Sequence, residues 1–248
     1  MERIVARTIV ITGAGAGLGR ALARRFAAAG DSVILLGRTL AKVEAVAAEL
    51  GPPALAFECD VGSADSVRAA FAAIAAKHAA IDVLINNAAI YEPMIVSEAS
   101  DSQIMTALMT NFAGPIFCCR AAIPMMREGS HIINISSEAV HTPFPMFSMY
   151  QSTKAGLERF TEALHNELED DGIRVAIVRA GQMFEEGRGW NFDPEVVRRF
   201  GEACIKAGID TRARPISQFN SVAEAFYMLV NLPADLQTPH VVLEARHA

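Results

Sequence analysis

Seven short runs of β-branched and aliphatic residues, set apart by longer stretches of helical period, constrain this chain more than any other feature. The runs cover residues 8–12, 32–36, 54–58, 82–86, 131–136, 173–179 and 240–244. They read as continuous apolar segments rather than as an apolar/polar alternation, which marks strands covered on both faces. Between them lie helical stretches near 18–29, 40–50, 64–77, 102–126, 149–169, 194–206 and 222–231. Strands that alternate with helices are joined by crossovers, and crossovers make parallel sheets. The expected fold is therefore α/β: a doubly wound, Rossmann-type, seven-stranded parallel sheet with helices on both faces. Residues 1–248 are expected to form one domain. Pro124 is expected to bend or end its helix, because it lacks the N–H of a helical turn. Residues 181–220 break the rhythm and predict a covering loop or helical lid.

The first strand runs into Gly13-Ala14-Gly15-Ala16-Gly17-Leu18-Gly19, and a helix follows. Glycines there let the backbone turn sharply and approach a pyrophosphate, whose charge meets the free N–H groups of the helix N-terminus. The strict G-x-G-x-x-G spacing is not met, since Leu18 stands where its last glycine would fall. No Lys-Ser/Thr follows the glycines, which excludes a phosphate-loop NTPase. The second strand ends at Gly37-Arg38. An acid there would accept the ribose hydroxyls of NAD, whereas an arginine can neutralise the 2′-phosphate of NADP. Arg38 favours NADP, with NAD possible and a plain surface arginine as the alternative.

Tyr150 and Lys154 are four residues apart, so a helix places them on one face. A phenol beside a fixed ammonium is expected to have its pKa drawn down toward neutrality, which would make it a general acid/base. A solvated helix face is the alternative reading of this pair taken alone.

Composition removes other classes. The net charge of −6 with no basic run predicts no nucleic-acid or anionic-membrane surface. No apolar window reaches the length of a membrane span, and the N-terminal residues lack the pattern of a signal peptide. Cys59, Cys118, Cys119 and Cys204 form no C-x-x-C pair and have no ligand-spaced histidines, so no metal site is expected. Adjacent Cys118 and Cys119 read as small buried apolar residues, and a reducing cytoplasm is the expected setting.

With the glycine turn, Asn111, Ser136-Ser137 and Tyr150/Lys154 in view, the chain resembles the single-domain short-chain dehydrogenase/reductases from about Thr8 to Gly181. Thr12-Gly13-x-x-x-Gly17-x-Gly19 resembles their cofactor motif, and Cys59-Asp60-Val61 their adenine contact. Asn86-Asn87-Ala88-Ala89 resembles the segment that closes the fourth strand against the nucleotide. Asn111 matches the family's active-site asparagine. Ser137, thirteen residues before Tyr150, matches its serine better than Ser136 does. The resemblance implies a cofactor-binding set of Gly13, Gly15, Gly17, Leu18, Gly19, Arg38, Asp60, Val61, Asn87, Ala88 and Met183, joined by Tyr150 and Lys154. It departs from the family at Ala89, Val140 and Ala180, at Glu185 where a threonine is usual, and in lacking Asp-Gly-Gly near the C-terminus.

The resemblance implies hydride transfer between NADP and a carbonyl or secondary alcohol. Tyr150 would exchange the proton, Lys154 would tune it and hold the ribose, Ser137 would bond the carbonyl oxygen, and Asn111 would hold a relay water. Tyr91, Met94, residues 143–147, Met183, Phe184, Trp190 and Phe192 are candidates to line an apolar, ring-accepting site, or else to pack the covering segment. Arg188, Arg198, Arg199, Arg212 and Arg214 are candidates for a substrate carboxylate or for solvated charge, and His141 for a rim position. A non-catalytic NADP-binding sensor or interaction protein of the same fold is the alternative. A dehydratase or epimerase with the same Tyr/Lys pair would usually need a larger C-terminal domain. A homotetramer or dimer is expected, packed through 102–126 and 149–169.

Overall fold

The computed structural model describes residues 6–184, 192–233 and 235–246. Nine strands are formed among them: β1 (Thr8–Thr12), β2 (Ser32–Gly37), β3 (Leu55–Glu58), β4 (Val83–Asn86), β5 (His131–Ser137), β6 (Arg174–Ala180), β7 (Met183–Phe184), β8 (Ser217–Gln218) and β9 (His240–Leu243). Seven make one sheet in the order β3-β2-β1-β4-β5-β6-β9, with every neighbouring pair parallel. The remaining two, β7 and β8, pair only with each other, an addition the apolar pattern did not announce.

Successive strand residues point to opposite faces, and the core divides accordingly. Ile9 and Ile11 of β1 join Val33 and Leu35 of β2 beneath one helical layer. That layer comprises α1 (Gly17–Ala28), α2 (Leu40–Leu50) and α8 (Phe219–Val230), which deliver Leu22, Phe26, Val43, Val222 and Phe226. Val10, Ile34 and Leu36 face the other side. There α3 (Ala64–Ala75), α5 (Gly114–Ala122) and α6 (Ser148–Glu167) supply Val67, Phe71, Ile74, Cys118, Cys119 and Leu164. Both adjacent cysteines are buried as small apolar groups. Burial pushes the Cys119 thiol up to about 12 and Cys118 well above its usual range. Two further helices complete the fold, α4 (Asp101–Leu108) and α7 (Pro194–Lys206). Among the described residues, no helix is long and apolar enough to cross a membrane.

The helix expected over 102–126 is interrupted. Between α4 and α5 lies a π-helical turn, Met109–Ala113, and a 3-10 turn at Ile123–Met125 ends the run at Pro124. Pro115 has no N–H to return to the carbonyl of Asn111, and the N–H of Gly114 instead reaches the carbonyl of Met109, five residues back. The turn of wider pitch sits where Asn111 leaves the helix for a neighbouring loop.

The glycine turn is shaped by close contact. Gly13 has φ of +66°, in the left-handed region, and a Cβ there would lie 2.9 Å from the Cα of Ala88. A Cβ at Gly19 would lie 2.4 Å from the carbonyl oxygen of Gly13, so α1 can settle onto the end of β1 only without one. Gly19→Ala is expected to lower stability by roughly 1–3 kcal/mol through backbone displacement. The urea midpoint of the purified variant, at unchanged slope, checks this.

Candidate active site

All seven sheet strands run the same way, so their carboxyl ends share one edge. Strand order reverses between β1 and β4, whose following loops part in opposite directions and leave a crevice. Thr12, at the end of β1, fastens its two sides. Its Oγ1 accepts the backbone N–H groups of Asn87 and Ala88, each at 3.0 Å. Asn87 Nδ2 donates to the Thr12 carbonyl at 2.9 Å. From this crevice a cavity of about 510 Å³ extends over the ends of β5 and β6.

At one end the cavity is lined by Gly13, Gly17, Leu18, Arg38, Val61, Asn87 and Ala88. At the other it is lined by Ser137, Tyr150, Lys154 and Met183. These are eleven of the fifteen expected site residues; the other four, Gly15, Gly19, Asp60 and Asn111, do not line the cavity. Gly15 packs toward Lys42, where an added Cβ would come within 3.0 Å of that side chain. Gly19 supports the turn from beneath. Asp60 turns its Oδ1 to the N–H of Gly62 at 3.0 Å. Asn111 is fully buried, its Nδ2 donating to the Ile90 carbonyl at 2.7 Å and its Oδ1 accepting the Ile90 N–H at 2.8 Å.

The glycine end fits an anion. The N-cap of α1, Ala16, has no side-chain acceptor, and no acid lies in the first turn of that helix. Its leading N–H groups therefore face the cavity mouth without an internal counter-charge. Arg38 follows at the exposed end of β2. These residues suit a dinucleotide phosphate chain with a further phosphate near Arg38.

At the other end, α6 carries Tyr150 and Lys154 on one face, and β5 carries Ser137 opposite them. The Tyr150 and Ser137 hydroxyls are hydrogen-bonded to each other. Lys154 is 3% exposed, and its Nζ donates to the Ile135 carbonyl at 2.7 Å. Thr153 joins this group to Asn111. Its Oγ1 accepts from Asn111 Nδ2 at 3.4 Å and donates to the Tyr150 carbonyl at 2.8 Å. Farther along α6, Glu158 accepts Ser136 Oγ at 2.6 Å and a two-pronged bond from Arg179 of β6 at 3.0 and 2.6 Å. That carboxylate binds α6, β5 and β6 together directly beneath the Ser137–Tyr150 contact.

The expected fall of the Tyr150 pKa is corrected by the structure. Desolvation raises it, the Ser137 bond opposes this, and the charges of Tyr91 and Glu138 raise it further. Lys154 does not reverse the balance. Its ammonium lies 6.0 Å from the phenol ring centroid and is spent on the Ile135 carbonyl. Burial drives Lys154 itself down to about 8.

The aromatic residues divide. Tyr91, Phe144 and Phe147 line the cavity, while Met94 is buried beside it. The Phe147 ring stacks on Phe200 of α7 at 4.8 Å and meets Tyr150 edge-on at 5.5 Å. Phe192 meets Tyr91 edge-on at 5.6 Å. Glu185, Arg188 and Trp190, and the side chain of Phe184, lie outside the described residues. Arg198 pairs with Glu195 and Glu202, and Arg199 with Glu98, all on the surface. His141 is exposed. Arg212 is exposed as well, whereas Arg214 pairs with Glu138. Sequence reasoning quoted Thr12 only as part of the glycine motif and passed over Glu138, Phe200, Thr211, Ile216 and Phe219, all of which line the cavity. Glu138 had a signal, its place next to Ser137; the last three come from a stretch without periodicity.

Residues 7–186 match the family of short chain dehydrogenases. The NADP-dependent 3-hydroxy acid dehydrogenase YdfG of Salmonella typhi is 35% identical over 231 residues, spanning 91% of this chain and 90% of its own. The farnesol dehydrogenase of Aedes aegypti is 27% identical over 256 residues, 98% of each chain. A crystal structure of a short-chain dehydrogenase from Streptomyces avermitilis superposes with a TM-score of 0.83 at 28% identity, covering 98% of this chain and 89% of that one.

The depressed pKa of Lys154 makes a stability prediction with a definite sign. Below pH 8 the buried ammonium costs folding free energy, and the cost is relieved as pH rises from about 8 toward the ordinary 10.5. Lys154→Met is expected to be more stable than the parent at pH 7 by roughly 1–3 kcal/mol. The gain should shrink at pH 10, as read from paired urea titrations.

Proposed function

Because the chain belongs to the short-chain dehydrogenase/reductase family, we propose that it is an NAD(P)-dependent oxidoreductase transferring a hydride between a nicotinamide and a carbonyl or secondary alcohol, with NADP preferred. One observation carries the reading: the Ser137–Tyr150 hydroxyl pair and the Lys154 stem line the same cavity as the glycine turn of β1 and α1. The nicotinamide, when bound, supplies or accepts the hydride. Everything else falls to the chain's own side chains.

Tyr150 Oη is the proton donor to the nascent alkoxide in reduction and the acceptor of the alcohol proton in oxidation. Ser137 Oγ bonds the substrate oxygen as charge develops on it. Lys154 holds the ribose. With its pKa raised by desolvation the phenol is scarcely ionised at neutral pH, so oxidation would draw on added positive charge near it, which an oxidised nicotinamide would supply when bound. Asn111 acts through position: its amide fastens the π-helical turn to Ile90 and, through Thr153, to the Tyr150 carbonyl. The carbonyl that Pro115 leaves without a helical partner is the candidate holder of a relay water. Gly13, Gly17, Leu18, Asn87, Ala88, Val61 and Met183 hold the dinucleotide, Arg38 takes a 2′-phosphate, and Gly15, Gly19 and Asp60 maintain the turns behind them.

Substrate identity does not follow from the relatives, whose names span an acid and an apolar alcohol. The segment expected to cover the substrate end contributes Met183, Phe200 and Ile216 to the cavity wall from its described parts, 181–184 and 192–220, which supports that reading. The four unpaired, buried cysteines suit a reducing cytoplasm. A homo-oligomer packed through 102–126 and 149–169 completes the proposal.

Tyr150→Phe is expected to bind NADPH normally and to lose at least about a thousandfold in turnover. A carbonyl panel followed by NADPH absorbance, with cofactor binding measured by fluorescence, tests this; near-normal turnover rejects the assignment. Arg38→Asp is expected to reverse the preference for NADPH over NADH in the same assay, and an unchanged ratio would remove Arg38 from the phosphate site.

A further inference from the structure

Among the described residues, Glu138 stands at the substrate end of the cavity without itself giving or taking the proton or hydride of the proposed reaction. Glu138 follows Ser137 directly and opens the 3-10 turn Glu138–Val140, and it lines the cavity. Its Oε2 lies 3.7 Å from where a Cβ on Gly181 would stand, so it rests against the end of β6. The same oxygen accepts from Nη2 of Arg214. Arg214 is not itself part of the wall. Its guanidinium lies behind the carboxylate, 5.3 Å from the Phe144 ring centroid, and its Nε is buried without a partner among the described residues. Among the described residues, the rest of this end is mainly aromatic and aliphatic (Tyr91, Phe144, Phe147, Phe200 and Ile216), with Gln182, Thr211 and the buried Lys154 as its polar members.

Of this pair, an incoming substrate meets the carboxylate first and the Arg214 guanidinium only through it, while Lys154 is buried and bonded to the Ile135 carbonyl. An uncharged oxygen-bearing molecule can lie on the aromatic wall with Glu138 held in place by Arg214 from behind. A carboxylate brought to the same place meets a like charge in a partly desolvated cavity, and the cation that would attract it is already engaged. Arg214 would be a carboxylate receptor only if Glu138 were not there. We propose that Glu138, paired with Arg214, is a specificity residue that excludes anionic substrates and restricts the site to uncharged, ring-containing or otherwise apolar carbonyls and alcohols. Specificity of this kind comes from an element that repels the wrong ligand. The inference rests on the hydride-transfer reading of the same site, and it accounts for how the two members of the ion pair are ordered relative to the cavity.

The test compares ligands that differ by one charge. Oxidation of methyl 3-hydroxy-3-phenylpropanoate and of the free acid is followed by NADPH formation in the NADP-saturated protein. In parallel, calorimetry measures the binding of two unreactive ligands, 3-phenylpropanamide and 3-phenylpropanoate, to the same protein. The uncharged member of each pair is expected to be favoured by at least about tenfold, in kcat/KM and in Kd respectively. Glu138→Gln should bring both ratios below about threefold, mainly through tighter acid binding, whereas Glu138→Asp should keep them. Equal or better use of the acids by the parent protein, or undiminished ratios in Glu138→Gln, would overturn the proposal. Charge discrimination in binding without oxidation of either alcohol would uphold it and count against hydride transfer. Oxidation of both alcohols at similar efficiency would do the reverse.

Discussion

The structure depends on how β1 and β4 are held at the point where strand order reverses. A parallel pair whose chains leave in opposite directions opens a gap at its carboxyl end, and an open gap there would expose unpaired backbone. The Thr12 hydroxyl closes the lower part by accepting two successive N–H groups from the β4 side. Gly13 can then pass within contact of Ala88 because it has no side chain. The result is a narrow floor, walled by the N-terminus of α1, whose unmatched N–H groups suit a phosphate. A larger residue at Gly13 or a missing hydroxyl at Thr12 would widen the floor and remove the reason for an anion to settle there.

A second constraint is burial at the opposite end. Lys154 is placed among apolar neighbours and given one carbonyl, Ile135, as partner. Tyr150 is desolvated and has Glu138 nearby. Both groups are displaced toward their neutral forms, the phenol upward and the ammonium downward. Such a pair stores electrostatic cost in the free protein and becomes useful when a ligand brings compensating charge, which is how perturbed groups come to mark functional clefts. The Glu158–Arg179–Ser136 cluster keeps this arrangement rigid, since one carboxylate joins the helix bearing Tyr150 to the strands flanking Ser137.

Charge placement also separates the two ends of the cavity. Arg38 and the α1 terminus make one end suited to anions, while Glu138, backed by Arg214, presents a carboxylate at the other. With Glu138 in its proposed role, that asymmetry would let one cavity take an anionic dinucleotide at one side without attracting acids to the other.

The apolar runs and helical periods determined the sheet and its seven strands, because burial on two faces leaves a signature in every residue of a strand. Residues 8–12 agree with β1 end to end, and 194–206 with α7. The glycine turn and the Tyr/Lys spacing were legible for the same reason: local geometry needs those residue types at those intervals. What only the tertiary structure decided involves distance along the chain. The Asn111 side chain in the π-helical turn is bonded to Ile90, twenty-one residues away. Glu138 and Arg214 meet across seventy-six. The direction of the Tyr150 shift was misjudged from spacing because a neighbour's charge counts only against desolvation, and desolvation is set by everything packed around the phenol. Periodicity records which way a side chain faces; it holds no record of what comes to meet it from elsewhere in the fold.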